Sequence, residues 1–285
     1  MPRSLAVIGG GNMAQAILDG AVRAGVLEKN FVVADPSPER RKLFPNAVER
    51  ASEAIAWLCE HESAPGRGQV LLAVKPQMLP EVVRDLRGAL ESNTWGEHRV
   101  VISILAGATI AHITEAFAGR ARVIRVMPNT PALVGRGMAA ICPAPDARES
   151  DVSLARSLFN AVGRVIDLRE DQMDAFTAVA GSGPAYVFRL AEAMVEGAIK
   201  SGLNPDEALL AVRETIAGAG LLLAGSNDPP GVLRERVTSK GGTTAAALEI
   251  FERARFGETV IDAIAAATAR GAELSALASR KTSSQ

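Results

Sequence analysis

The segment Leu5-Ala-Val-Ile-Gly-Gly-Gly-Asn-Met-Ala-Gln-Ala-Ile-Leu18 constrains the fold more than any other part of the chain. Four apolar residues run into three glycines, and a stretch with helical character follows at once. An apolar run without polar alternation fits a strand buried on both faces. Gly9, Gly11 and Ala14 satisfy the spacing G-x-G-x-x-A. In such a pattern the first glycine permits the tight turn, the second lets a pyrophosphate approach the backbone, and the small third residue lets helix pack on strand. The pattern alone is weak, and it gains its force from standing at the head of a series of strands.

That series continues with Phe31–Ala34, Val70–Val74, Val100–Ile104, Val123–Val126 and Met138–Ile141, and Arg164–Asp167 closes it. Several of the intervals are long enough for a crossover helix, so residues 1–166 read as a dinucleotide-binding domain, a Rossmann-type, doubly wound parallel sheet in the α/β class. The rhythm then stops. Residues 167–285 read as all-helical, with helices over Ala180–Lys200, Asn204–Ala224, Thr244–Arg253 and Gly257–Ala278. These helices are rich in Ala and Gly and carry little charge on any face. Two readings stay open for them, a tightly packed bundle and faces buried a second time against another subunit.

Composition narrows the functional classes. Lys and Arg number 31 against 32 Asp and Glu, a net charge of −1, which gives no electrostatic case for nucleic acid or an anionic membrane. Cys59 and Cys142 do not combine with His61, His98 and His112 in any zinc-ligand spacing, so no metal is expected and both cysteines read as buried free thiols. The apolar segment near the N-terminus is too short for a signal peptide. The run Ile216–Gly225 falls short of the roughly 18 residues that a membrane span needs. A cytoplasmic protein without membrane association is the expectation.

The second strand ends on Asp35, 24 residues beyond Gly11 (35 − 11), near the spacing of a ribose-binding carboxylate. Asp35 argues for NAD(H), whereas Ser37, Arg40 and Arg41 within the next turn argue for the 2′-phosphate of NADP(H). NADP(H) is favoured and NAD(H) stays possible, with a merely solvated arginine face as the plain alternative. Ala73-Val74-Lys75-Pro76 and Ser103-Ile104-Leu105-Ala106-Gly107 end two further strands, and ligands in such sheets bind beyond the strands' carboxyl ends. Lys75 is placed for a phosphate or carboxylate, or for solvent.

In the second half, Val237-Thr-Ser-Lys-Gly-Gly-Thr-Thr-Ala-Ala-Ala-Leu-Glu249 sets glycines and threonines at the mouth of a helix, where free amides and the helix dipole favour an anion. Met127-Pro-Asn-Thr-Pro-Ala132, Ala180-Gly-Ser-Gly-Pro-Ala-Tyr186 and Pro230-Gly-Val-Leu233 stand between the fingerprint and this stretch. Taken in order, these motifs resemble the pyrroline-5-carboxylate reductase family from Ile8 to about Leu274. The resemblance implies a Rossmann domain, a helical C-terminal domain that dimerises, and often a ring of dimers. It implies hydride transfer from NAD(P)H to 1-pyrroline-5-carboxylate, yielding L-proline, the last step of proline biosynthesis. It maps the cofactor onto Ile8, Gly9, Gly10, Gly11, Asn12 and Met13, onto Ala73, Val74, Lys75 and Pro76, and onto Ile104, Leu105 and Ala106. It maps the substrate onto Ser239, Lys240, Gly241, Gly242, Thr243 and Thr244, with Thr244 at the ring nitrogen as the catalytic residue. Lys240 stands where the family often has proline, and Ala180 where it often has serine.

The residues themselves suit that chemistry. Two or three of the amides of Gly241, Gly242 and Thr243 are expected to hold the carboxylate by charge-assisted bonds. A threonine hydroxyl is too weak an acid to be the final proton source, so Thr244 reads as a hydrogen-bond donor or relay, with water or a preprotonated iminium supplying the proton. Tyr186 has two readings, a donor to the ligands and an aromatic packed beneath the loop. Ser182 reads as a helix cap, Met127 and Pro131 as pocket wall and Asn129 as a turn former. The alternative is another reductase of the same architecture, acting on an imine or a 2-hydroxyacid; a hydroxyacid enzyme would want Lys or His within Ala180–Met194, which has neither. A sensor that binds NAD(P) without turnover would have no use for an imine pocket.

Overall fold

A computed structural model describes residues 4–28, 30–64, 66–92, 94–96 and 98–282, with side chains in the last helix described to Leu277. Met1–Arg3, where the reading of the N-terminal segment begins, and the last three residues of the expected second domain lie outside these. The first stretch of elements is β1 (Leu5–Ile8), α1 (Asn12–Arg23), β2 (Phe31–Ala34), α2 (Pro38–Arg41), β3 (Ala47–Val48), α3 (Ala51–His61) and β4 (Gln69–Leu72). Then come α4 (Leu79–Glu91), β5 (Arg99–Ser103), α5 (Ile110–Ala116), β6 (Ala121–Met127), β7 (Gly137–Pro143), α6 (Glu149–Asn160) and β8 (Gly163–Asp167). All-helical chain follows: α7 (Met173–Phe176), a π-helical turn at Thr177–Gly181, α8 (Gly183–Lys200), α9 (Pro205–Gly225), α10 (Pro230–Arg236), α11 (Thr243–Arg253) and α12 (Phe256–Thr282).

The strands make one sheet in the order β3-β2-β1-β4-β5-β6-β7-β8. Every residue of β1, β2, β4 and β5 is buried, as expected when helices cover both faces. One apolar core lies on each face, one holding Ile55, Leu86, Trp95 and Phe117 and the other Ile17, Phe31, Leu158 and Phe159. The order reverses between β1 and β4, with Ile8 registered between Ala34 and Leu72. In open α/β sheets a crevice forms beyond the carboxyl ends at such a reversal.

The sheet departs from the sequence reading at its far edge. β7 runs antiparallel to β6, with Met127 opposite Ala140, and β8 then pairs parallel to β7. The short connection through a 3₁₀ turn at Thr130–Val134, closed by Gly135 at φ 70°, turns the chain straight back. An apolar run records that a strand is buried, not which way it points.

Opposite the crevice, a buried ion pair fastens the amino ends of the strands. Arg99 is wholly buried at the start of β5, and its Nη1 lies 2.8 Å from Glu62 Oε2. The guanidinium also donates to the carbonyls of Trp95 and Gly68, and Glu62 accepts the amides of Gly66 and Gly68. Burial opposes the charge on Glu62, but the hydrogen bonds from Arg99, Gly68 and Gly66 outweigh it and hold the carboxyl below the ordinary carboxylate value. Cys59 lies beside this pair and is half-buried rather than buried, while Cys142 is buried as expected. Burial raises both thiols, which suits inert packing rather than reactivity.

Contacts divide the chain into two compact units, one of residues 1–181 with 267–285 and one of residues 182–266. The change of rhythm at 166/167 therefore precedes the break in packing, because β8 is followed by α7 and the π-helical turn within the first unit. In that unit Asp174 accepts from Ser275 Oγ at 3.4 Å and packs on Gly271.

In the second unit, α9 starts with reciprocal bonds between Asn204 and Glu207 and with proline in its first turn, which satisfies amides that a helix start leaves open. Gly202, at φ 106°, turns the chain from α8 into it. The helix expected over Ala180–Lys200 starts only at Gly183, because the chain leaves the π-helical turn just before. Ser182 stands at its N-cap but in helical geometry, φ −86° and ψ −24°, so its hydroxyl makes no capping bond. Ala208 and Val212 are the buried apolar side chains of α9, whereas Phe188, Leu210 and Leu222 of α8 and α9 are 65%, 62% and 72% exposed.

Candidate active site

At the crevice, Gly9 takes φ 102°, and a Cβ there would sit 2.7 Å from the carbonyl oxygen of Ala73. That is backbone against backbone, so β1 and β4 leave room only for glycine. Gly10 is enclosed by Phe44 and Val33, whereas a Cβ on Gly11 would meet nothing within 4 Å. The open side of Gly11 leads to the start of α1, where the first helical bond is Gln15 N to Gly11 O. No side chain caps this end, and the amides of Asn12, Met13 and Ala14 have no acceptor among the described residues. Unspent amides at a helix start behind an uncrowded glycine fit a pyrophosphate. Ile8 and Ala14 are buried, so only their backbone borders this space.

Asp35 is held by backbone. Its Oδ2 accepts the Gly10 amide at 2.8 Å and its Oδ1 the Ser37 amide at 2.9 Å. The two neighbouring arginines differ. Arg41 is spent on the carbonyls of Asp35 and Pro36, at 2.8 and 2.9 Å, while the half-buried guanidinium of Arg40 has no partner among the described residues. Ser37 Oγ accepts the Arg40 amide at 3.4 Å, which caps α2 and sets Ser37 and Arg40 side by side.

Ala73 and Val74 extend the line of β4, with Ala73 N on Ile8 O at 2.8 Å. Lys75 is exposed, its ammonium has no partner among the described residues, and it precedes a 3₁₀ turn that opens on Pro76. Beyond β5, Ile104 N bonds Leu72 O at 3.0 Å and Ala106 is exposed. Leu105 points into the core at 3% exposure, so it offers the crevice backbone alone.

Asn129 does more than turn the chain. Buried between β6 and β7, it donates Nδ2 to the carbonyl of Ala180 at 3.0 Å and accepts the Met138 amide at 2.8 Å. It thereby ties the π-helical turn to the sheet, and π-helical turns concentrate at functional sites. A polar side chain between the prolines of Met127–Ala132, with Thr130 beside it, was the available signal. Met127 Cε lies against Gly181, and Pro131 is the second residue of the 3₁₀ turn.

In the second unit, Ser239–Gly242 form a tight turn in which Gly242 N bonds Ser239 O at 3.0 Å. Gly241 has φ 70° whereas Lys240 is not among the positive-φ residues, which identifies a type II turn with Lys240 at its second position. The turn corrects one expectation: the Gly242 amide is spent inside it and is not free for a carboxylate. The amides of Gly241, Thr243 and Thr244 are unspent, and so are the hydroxyls of Ser239, Thr243 and Thr244 among the described residues. A Cβ on Gly242 would meet Ser239 Oγ, a hydroxyl able to rotate away, with the Ser239 carbonyl next at 3.2 Å. Gly242 is the uncapped N-terminal neighbour of α11. Tyr186 is half-buried near the start of α8.

A chain with this arrangement is similar to proteins of one family throughout its length. A reductase from Haemophilus influenzae named pyrroline-5-carboxylate reductase is 39% identical over 277 residues, 96% of this chain and 98% of that one. The chain belongs to the pyrroline-5-carboxylate reductase family. The profile described as pyrroline-5-carboxylate reductase dimerisation matches residues 170–274, and one described as NADP oxidoreductase, coenzyme F420-dependent, matches residues 4–107. The family enzyme of Arabidopsis thaliana is 34% identical, covering 94% of each chain. Among solved structures, the Coxiella burnetii reductase gives a TM-score of 0.83 at 32% identity over 96% of this chain and 99% of its own. The Plasmodium falciparum enzyme, solved with NADP bound, gives 0.80 at 28% identity over 96% and 98%.

Proposed function

We propose that the protein reduces 1-pyrroline-5-carboxylate to L-proline with a nicotinamide dinucleotide as hydride donor, the last step of proline biosynthesis. Family membership supports the reaction, and the observation that carries it to particular residues is the set of unspent hydroxyls and amides gathered by the Ser239–Thr244 turn. The substrate is a small cyclic imine with one carboxylate. Its carboxylate meets the amides of Gly241 and Thr243 and the Ser239 hydroxyl, with Lys240 alongside and Gly242 keeping the turn closed, and such charge-assisted bonds contribute roughly 1.5–3 kcal/mol each. The Thr244 hydroxyl donates to the ring nitrogen and steadies the charge that develops there, with water or a preprotonated iminium as proton source.

The cofactor, when bound, supplies the hydride. Gly9, Gly10, Gly11, Asn12, Met13 and Ala14 would hold its pyrophosphate, and Ala73–Pro76 and Ile104–Ala106 would border its nicotinamide half. We favour NADP(H) over NAD(H), because Asp35 is occupied by two amides whereas Ser37 and Arg40 keep donors for a 2′-phosphate. Arg40→Ala is then expected to raise KM for NADPH about 10-fold, as loss of one charge-assisted contact implies, with a much smaller change for NADH. Equal changes for both cofactors would assign Arg40 to solvent.

Residues 1–166 serve the cofactor, and residues 167–285 serve substrate and dimerisation. The exposed Phe188, Leu210 and Leu222 suit a homodimer interface, and a ring of such dimers is the larger assembly we propose. Over its whole 21 residues, rather than over its uninterrupted apolar run, α9 is long and apolar enough to cross a membrane. Arg213 and Glu214 near its middle oppose that, and a second subunit is the cover we assign it, in a cytoplasmic enzyme.

The test is direct: purified protein given 1-pyrroline-5-carboxylate should consume NADPH or NADH and accumulate L-proline. Consumption of neither would sink the proposal. Thr244→Ala should lower kcat by roughly 10²-fold or less, the range of a single hydrogen-bond donor in proton-transfer catalysis. An unchanged kcat would remove Thr244 from the mechanism.

A further inference from the structure

We infer that Lys240 draws the substrate's carboxylate into the turn by its charge and so sets KM for 1-pyrroline-5-carboxylate. The inference rests on reading Ser239–Thr244 as the substrate loop. Lys240 occupies the second position of a type II turn whose left-handed backbone is carried by Gly241. Proline is favoured at that position because its fixed φ suits the turn. A lysine gives up this restraint and adds a mobile cation, one residue from the Gly241 amide.

That cation is unspent. Lys240 is exposed, and its ammonium has no hydrogen-bond or ion-pair partner among the described residues. Between Asp228 and Thr244 the chain carries Arg234, Arg236 and Lys240 against Asp228 and Glu235, an excess of one positive charge that removal of Lys240 would cancel. Arg236 is already paired with Asp228 at 2.6 Å. Arg234 lies on α10, and its carbonyl takes the Thr238 hydroxyl at 2.7 Å, which leads the chain into the turn. An exposed charge of this kind acts through water, so its effect is modest and falls as salt screens it.

At low ionic strength, Lys240→Gln should raise KM for 1-pyrroline-5-carboxylate about 2- to 5-fold, the scale of one solvent-exposed charge pair. Lys240→Arg should keep the native KM, and added salt should bring native and Lys240→Gln values together. KM for 1-pyrroline, which lacks the carboxylate, and KM for NADPH should be the same in all three proteins. Lys240→Pro separates charge from restraint: it should raise KM as Lys240→Gln does, whereas a lowered KM would show that turn rigidity governs binding and would overturn the inference. Native-like KM in Lys240→Gln, an equal change with 1-pyrroline, or a change in KM for NADPH would each overturn it as well. Gly241→Val, which cannot hold φ 70° without strain, tests the underlying reading. If it leaves KM for 1-pyrroline-5-carboxylate unchanged, the turn is not the substrate loop. If it raises that KM while Lys240→Gln does not, Lys240 alone is at fault.

Discussion

Arg99→Met is expected to destabilise the first unit by about 3–5 kcal/mol, the scale of removing one partner from a buried ion pair. The guanidinium joins Glu62, Trp95, Gly68 and Thr94, so its loss strands a carboxylate and several carbonyls away from water. Urea unfolding followed by tryptophan fluorescence measures this directly, because Trp57 and Trp95 both belong to that unit and Arg99 lies 5.7 Å from the Trp95 ring. The double variant Arg99→Met with Glu62→Leu should recover much of the loss, since an apolar pair of similar volume leaves no uncompensated charge. A double variant no more stable than Arg99→Met would refute the account. pH gives an independent check. With the folded carboxyl of Glu62 held below its unfolded value, its contribution is complete above the unfolded pKa of about 4.3 and is lost as pH falls through the lower folded value. Arg99→Met removes one of the groups that hold this value down and leaves the amides of Gly66 and Gly68, so its stability should fall less steeply on acidification in that range.

Gly9→Ala is expected to raise KM for NADPH by about 10²-fold. A non-glycine residue at φ 102° stores roughly 1–3 kcal/mol of strain, and a Cβ 2.7 Å from the Ala73 carbonyl displaces the end of β4 at a further cost of about 1–3 kcal/mol. Gly11→Ala separates fold from binding. Its Cβ would meet none of the described residues within 4 Å, so thermal unfolding without cofactor should be near native, while the methyl group would occupy the side proposed for the pyrophosphate. Wild-type affinity for NADPH in Gly11→Ala would place the pyrophosphate elsewhere.

What the sequence disclosed follows from what periodicity records. β1, β2, β4 and β5 are buried on both faces, and such strands are apolar without interruption, so they stand out. β3 has two residues and α10 seven, too short for any period to register. The π-helical turn lies within a stretch of helical composition, and nothing in composition separates one helical hydrogen-bond pattern from another. At the site, the Gly9–Ala14 spacing was legible because Gly9 and Ala14 answer steric demands of the fold, Gly9 against the Ala73 carbonyl and Ala14 within the core. Which of Arg40 and Arg41 keeps a free guanidinium was not, since Arg41 is spent on backbone carbonyls that carry no side-chain signature. Asn129 and Ala180 meet across 51 residues, and Glu62 and Arg99 across 37, so neither pairing has a local trace.

The return of the C-terminal helix to the first unit has a consequence for the order of synthesis. Gly107, at the foot of the segment beyond β5, packs against Leu274, and Asp174 against Gly271 and Ser275. A ribosome that has released only the glycine-rich half has therefore not yet made the residues that back this segment. The first unit is complete only after the intervening helices have emerged, and a nascent chain stalled before Gly271 would lack the residues that back Gly107 and Asp174, although both cores of the sheet had already been made.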